Sequence, residues 1–349
     1  MSEVNPKDQS NSNKPVSSSV FNWLIPVVLS VGLFMVLERT IGENWSLRID
    51  MLVACALYVV ILKTYQYLFI KKSTEKGSVE PHPAYSWPLP GPYKNWGILG
   101  KTIPYITFYG STLLTLFNPF LLVQQFRMIL GQSKTSVRVS AMRAEISNYK
   151  TKVNYRLPVD GEWLVYHGGH TPNTSHSWDV LNQRYAYDFV KADSEYNRHS
   201  GKGNQLSDYY CYQQPIRAAA DGEVISVVNN IGDAPFVGYM VMDFLTRGIA
   251  GNHIVIKHAE GEFGFYAHLI KGSIPLKKGD KVKQGELIGL CGHSGNSSEP
   301  HLHFHLQDTS DFFSAMGLPI KFDNIRIDNT YVDKNAIITR GSRVEYSPV

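Results

Sequence analysis

The sequence predicts an all-β domain, an antiparallel β-sandwich or open barrel, preceded by an α-helical transmembrane region. Three observations lead there. Long apolar runs are confined to the first third of the 349 residues, and the remainder is mixed, polar and Gly-rich. From about residue 151, short apolar segments alternate with turn dipeptides at regular spacing, as they do in sandwiches and barrels. Finally, "HLHFH" (301–305) places His301, His303 and His305 on one strand face, with Leu302 and Phe304 on the other.

The N-terminal third divides into three runs. Residues 15–37 are uncharged, long enough to cross a bilayer, and lack a small-residue cleavage pattern, so an uncleaved anchor is expected. The run 51–70 is interrupted by Lys63, which must snorkel or face a neighbouring helix. The run 102–126 is uncharged but carries Asn118-Pro119 and several hydroxyls. It reads as a third crossing, or else as an amphipathic segment on the membrane or on the downstream domain. The expected organisation is a membrane region over 1–130 with two to three transmembrane helices, a polar linker over 131–150 and the β domain over 151–349. Lys71, Lys72, Lys76, Lys94 and Lys101 mark the link before the third run as cytoplasmic, against only Arg39 and Arg48 in the previous link. From an inside N-terminus, three crossings place the β domain outside; two leave it in the cytoplasm.

A formal net charge of +4 with scattered basic residues gives no footprint for nucleic acid. The three cysteines, Cys55, Cys211 and Cys291, form no CxxC pair and are too few for a disulfide framework, although a Cys211–Cys291 bridge stays open.

Within the β domain, Asp221-Gly222 is a turn followed by a strand, and 251–269 reads as a hairpin turning at Ala259–Glu262. Asp188 interrupts the apolar stretch "YAYDFV", and a buried aspartate requires a partner or a metal; Arg184 is the alternative partner. His268 ends a hairpin arm, where it faces either a cleft or ordinary surroundings.

The run "GNHIVIKHAEGEFGFYAHLIKGSIPLKKGDKVKQGELIGLCGHSGNSSEPHLHFHL" resembles the core of the lysostaphin and β-lytic type zinc metallopeptidases. That family shows Y-x-H-L, then a Gly-Asp-rich segment, then P-H-L-H-F, and all three are present in order. The resemblance is firm over about 215–306 and loose over 160–214. It implies a metallopeptidase fold, a Zn²⁺ cofactor, His303 and Asp188 as zinc ligands, and His268 and His301 as catalytic histidines. It also implies cleavage of peptide bonds in peptidoglycan, so the expected partners are peptidoglycan peptides, the lipid bilayer and cell-wall or division proteins. The expected location is the cell membrane, multi-pass, with the β domain extracytoplasmic.

Two positions depart from the family. Its remaining zinc ligand is a histidine four residues before the aspartate, where this chain has Arg184. A guanidinium stays protonated and offers no lone pair, so the domain either recruits another histidine or loses its metal. His176 lies nearest, twelve residues before Asp188, and is preferred to His170 and then to His167. The second departure is His305, which stands where the family carries glutamate and is read as supporting the ligands. Two other functions compete with catalysis. One is an inert relative that activates or scaffolds another wall hydrolase; the other is a sugar-phosphotransferase domain, which the H-L-H-F strand and the nearby aspartate fit poorly.

Overall fold

The computed structural model describes residues 17–41, isolated positions between 53 and 64, and 91–348 apart from 143, 144 and 147. The chain forms two compact units, Met1–Glu80 and Pro81–Val349. In the first, α1 (Ser17–Ile41) is a 25-residue helix containing Pro26. The run 51–70 lies largely outside the described residues. Among the described residues, no single helix is long and apolar enough to cross a membrane.

In the second unit, the run 102–126 is not one straight helix but part of a bent pair whose two arms are together long and apolar enough to span a membrane. It is split between α2 (Gly97–Leu114) and α3 (Pro119–Ala141), and the chain bends by 96° at the break. Asn118 makes the corner. Its side chain accepts from the Phe120 and Leu121 backbone N–H groups at 3.0 and 3.4 Å, and Pro119 opens the new helix. Helix α3 then continues to Ala141, through the first half of the stretch expected to be a polar linker.

This elbow has reversed polarity. Its polar side chains point at the β domain. Thr107 donates to the Tyr239 carbonyl (2.8 Å), and Ser111 accepts from the Met242 N–H (2.9 Å). Asn118 donates to the Phe244 and Thr246 carbonyls (3.0 and 2.8 Å), and Arg138 pairs with Asp308 (2.7 Å). Many of its apolar side chains, including Ile106, Tyr109, Phe117, Phe120, Val123 and Leu130, are exposed, while Leu121 and Val139 are buried.

The β domain follows. Its strands are β1 (Glu162–His167), β2 (Tyr187–Val190), β3 (Pro215–Arg217), β4 (Gly222–Val228), β5 (Asn252–Ala259), β6 (Glu262–Leu269) and β7 (Lys281–Val282). They continue with β8 (Leu287–Leu290), β9 (Leu302–Gln307), β10 (Gly317–Leu318), β11 (Ile325–Ile327), β12 (Thr330–Val332) and β13 (Arg343–Tyr346). The large sheet runs β12-β11-β13-β1-β2-β9-β6-β5-β4-β7, with β10 paired to β9. Strands β3 and β8 form a second, two-stranded sheet. Every strand pair is antiparallel, as expected. The β5–β6 hairpin turns where the sequence placed it, with Ala259 opposite Glu262 and Gly261 at φ 73°.

One core holds the two sheets together. Ile216 and Ile288 of the small sheet join Val224, Ile254, Tyr266 and Phe304 of the large one, all fully buried. Burial of each such aliphatic or aromatic side chain contributes about 1.5–3 kcal/mol. Cys211 and Cys291 sit in this core as free thiols, and Cys211 donates to the Pro300 carbonyl at 3.1 Å.

Replacing Asn118 by alanine removes a helix cap and leaves the Phe244 and Thr246 carbonyls without that donor. A loss of about 1–2 kcal/mol from the cap is expected in denaturant unfolding, with faster amide exchange over 242–249. Unchanged exchange there would show that Asn118 does not hold the elbow to the domain.

Candidate active site

The site is set by strand register. Asp188 sits inside β2, whose four residues are all buried. It lies opposite His303 of β9, and His303 lies opposite Ala267 of β6. Residues directly opposed on paired strands share a face, so the carboxylate and the imidazole meet. His303 Nδ1 is 3.0 Å from Asp188 Oδ1.

A chain of hydrogen bonds decides the protonation of His303. Gln307 donates its amide N–H to the Thr309 carbonyl at 2.8 Å, which directs its Oε1 to His305. His305 Nε2 must then donate to Gln307 Oε1 (2.9 Å), leaving His305 Nδ1 as an acceptor. His303 Nε2 donates to it at 3.1 Å. The lone pair of neutral His303 is therefore on Nδ1, facing an aspartate oxygen 3.0 Å away. Two lone pairs at that distance repel unless a cation or a shared proton lies with them. This donor set fits a divalent metal, with His305 and Gln307 orienting the ligand from behind.

The two other expected histidines are pinned by backbone. His268 Nδ1 donates to the Ser294 carbonyl at 2.7 Å, and His301 Nδ1 to the Glu299 carbonyl at 2.8 Å. Each neutral ring thereby carries its lone pair on Nε2. The rings lie 4.7 Å apart, and His301 Nε2 is 3.7 Å from Asp188 Oδ1. His268 holds a left-handed backbone conformation, φ 62°, at the end of β6. The turn before His301 is braced by a buried ion pair, Arg198 Nε to Glu299 Oε1 at 2.7 Å.

His176 arrives at Asp188 as expected, with Nδ1 3.3 Å from Oδ2. His170 does not: it bonds the Ile320 carbonyl at 3.1 Å and packs on Tyr185. His167, ranked last from sequence, does reach the site. Its ring centroid is 4.6 Å from that of His176. The ligand atoms of His167, His176 and Asp188 lie within 4.8 Å of one another, while His303 stands at the other carboxylate oxygen. The available signal for His167 was the Gly168-Gly169 pair after it, which marks an abrupt turn out of a strand. Arg184 turns to the Trp178 carbonyl (2.9 Å) and stacks over the Trp178 ring.

His167, His176, Asp188, His268, His301 and His303 line a cleft of about 350 Å³ walled also by Phe108 of α2 and by Met240, Met242 and Phe312. Phe108 was not singled out from sequence, since its run was read only for the membrane. Burial drives His167 down to about 3, so it is a neutral base. His305 is held down at about 3 by burial and then by His303. Burial, with His301 and His303 beside it, lowers His268 well below its ordinary value. Burial alone would raise Asp188, but the surrounding histidines, His176 foremost, hold it well below the usual carboxylate range. Once deprotonated, the imidazoles and the ionised carboxylate together make the donor set a metal requires.

Residues 203–314 match the model described as Peptidase family M23. Peptidoglycan DD-endopeptidase ShyA of Vibrio cholerae serotype O1 is 47% identical over 92 residues, 26% of this chain and 17% of that protein. Cell division protein DipM of Caulobacter vibrioides is 33% identical over 93 residues, 27% of this chain and 12% of that protein. The catalytic domain of the antimicrobial peptidase lysostaphin from Staphylococcus simulans aligns at 20% identity and a TM-score of 0.25. That alignment covers 50% of this chain and 92% of that one. The chain spans less than a fifth of the length of these two curated relatives. The similarity is to peptidase family M23, and the matched span holds His268, His301, His303 and His305.

Proposed function

We propose that the β domain is a zinc metalloendopeptidase that hydrolyses peptide bonds of peptidoglycan. The observation that carries this is the meeting of His303 Nδ1 and Asp188 Oδ1 at 3.0 Å, with the imidazole's one N–H committed to His305. Asp188 and His303 would hold the zinc, with a further histidine from the 167–176 segment. Bound zinc supplies a Lewis acid and brings the pKa of its water toward neutrality.

The protein's own part is proton handling. His268 and His301 both present Nε2 lone pairs, so each accepts a hydrogen bond from the attacking water. His301 takes the proton, because the resulting positive charge faces Asp188 Oδ1 at 3.7 Å. It then serves as the donor to the departing amine. His268, buried and neutral, orients the water. Peptidoglycan as substrate is supported by the relatives, among them the peptidoglycan DD-endopeptidases ShyA and ShyB of Vibrio cholerae. The inert-scaffold alternative rests on Arg184 and requires a domain without zinc.

We also propose that the protein is membrane-bound, with the β domain on the extracytoplasmic side. The elbow's polarity supports contact with lipid, since Thr107, Ser111 and Asn118 bond the domain while many of its apolar side chains face out. A wall substrate requires residues after 141 to lie outside.

Asp188→Ala and His303→Ala are each expected to lose zinc and activity together. His301→Ala is expected to keep its zinc while activity falls by roughly 10²–10⁴-fold, the usual cost of an acid–base group. Equal zinc loss in all three, by metal analysis, would mean that His301 is a ligand.

Reporter fusions after residues 75 and 135 are expected to read cytoplasmic and external, respectively. A cytoplasmic signal at 135 removes peptidoglycan as the substrate.

A further inference from the structure

Given the zinc reading above, we infer that His167 is the permanent third protein ligand and that His176 is an exchangeable fourth, closing the site at rest and leaving to admit water or substrate.

The β1–β2 ladder places His167. Leu164 pairs with Val190 and Val165 with Phe189, so an unbroken register would put Tyr166 opposite Asp188. A bulge skips Tyr166 and sets His167 there instead. The one-residue shift transfers the imidazole to the carboxylate's face of the sheet. His167 Nδ1 is buried and has no hydrogen-bond partner. Burying a polar nitrogen unpaired is costly, and a metal beside Asp188 would satisfy it. His167 is also fixed by a strand, so little conformational freedom is lost when it ligates.

His176 is held differently. Gly168 and Gly169, at φ 137° and 138°, turn the chain sharply after β1. A Cβ at Gly168 would meet Tyr187 Cδ1 at 2.3 Å, so only glycine fits. The Gly168 N–H to Thr174 carbonyl bond (3.0 Å) closes a loop that returns His176 over His167. That side chain is 41% exposed, against 8% for Asp188. It can swing outward without breaking a strand pair.

Coordination chemistry gives the two positions different consequences. Four protein ligands make a closed, structural type of zinc site; three leave the position that hydrolysis needs. His167, Asp188 and His303 are the three that cannot leave without disturbing the sheet. His176 departs with its lone pair, and one water or carbonyl oxygen takes its place, with no change in charge.

The test uses the full-length, detergent-solubilised protein loaded with Zn²⁺ or Co²⁺. His167→Ala should weaken zinc binding by more than the roughly 10–100-fold typical of residues behind the ligands. His176→Ala should weaken it by less than about tenfold and should change the cobalt absorption spectrum. Because His167→Ala could fail to fold, His167→Cys is the second variant. With Co²⁺ it should show a near-ultraviolet thiolate-to-cobalt band, which appears only if position 167 touches the metal. Acetohydroxamate, a small bidentate ligand, should abolish the corresponding band of His176→Cys but not that of His167→Cys. Tight zinc binding lost in His176→Ala and kept in His167→Ala, or no thiolate band in His167→Cys, overturns the assignment while leaving the zinc reading intact. Absence of zinc and cobalt binding by the wild type overturns both.

Discussion

The site depends on one carboxylate that is buried and ionised. Taking such a charge out of water costs several kcal/mol even after relaxation, unless something of opposite sign compensates for it. The nearest groups to Asp188 are imidazoles, and burial keeps His167 and His268 neutral. Neutral rings whose N–H groups point elsewhere bring little compensation. A cation bound by the same atoms answers both needs. The register of β2 on β9, the bulge in β1 and the glycine turn after it all direct lone pairs at that carboxylate.

Protonation is distributed by acceptors rather than by acidity. The carbonyls of Ser294 and Glu299 hold the N–H of His268 and His301 away from the cleft. The row His303–His305–Gln307–Thr309 holds the N–H of His303 away in the same manner. These three contacts to backbone carbonyls leave three nitrogens facing inward without protons. His305, which stands where the metallopeptidases it resembles carry glutamate, is a neutral group and adds no further negative charge beside Asp188.

Much of this was legible in the residues. Strict alternation over 301–305 identified a strand, although β9 is buried on both faces, and Asp188 declared itself as a charge among Tyr187, Phe189 and Val190. The hairpin at 252–269 followed from its turn chemistry. What stayed hidden shares one cause: a local shift that leaves periodicity unchanged. A bulge moves His167 to another face without altering its neighbours in sequence. The apolar length of 102–126 suggested a crossing, and only the Asn118-Pro119 pair, an N-cap followed by proline, carried the information that the chain turns. His170, a neighbour of both cluster histidines in sequence, was directed to Ile320 by the same turn that brought His176 back.

The elbow is joined to the chemistry through backbone, not only by proximity. Gln124 of α3 accepts from the Ile249 N–H at 3.0 Å, the Ile249 carbonyl accepts from Asn296, and the neighbouring Ala250 carbonyl accepts from the His268 N–H at 3.2 Å. His268 holds a left-handed conformation that ordinary residues disfavour by about 1–2 kcal/mol, so it persists because these neighbours over-determine it. Phe108, one turn before Ser111 on α2, meanwhile walls the cleft. A displacement of the elbow would therefore act on His268 through Ile249 and Ala250, and on the cleft's width through Phe108. The segment that reads in sequence as membrane-seeking is thus, in the fold, a structural support of His268.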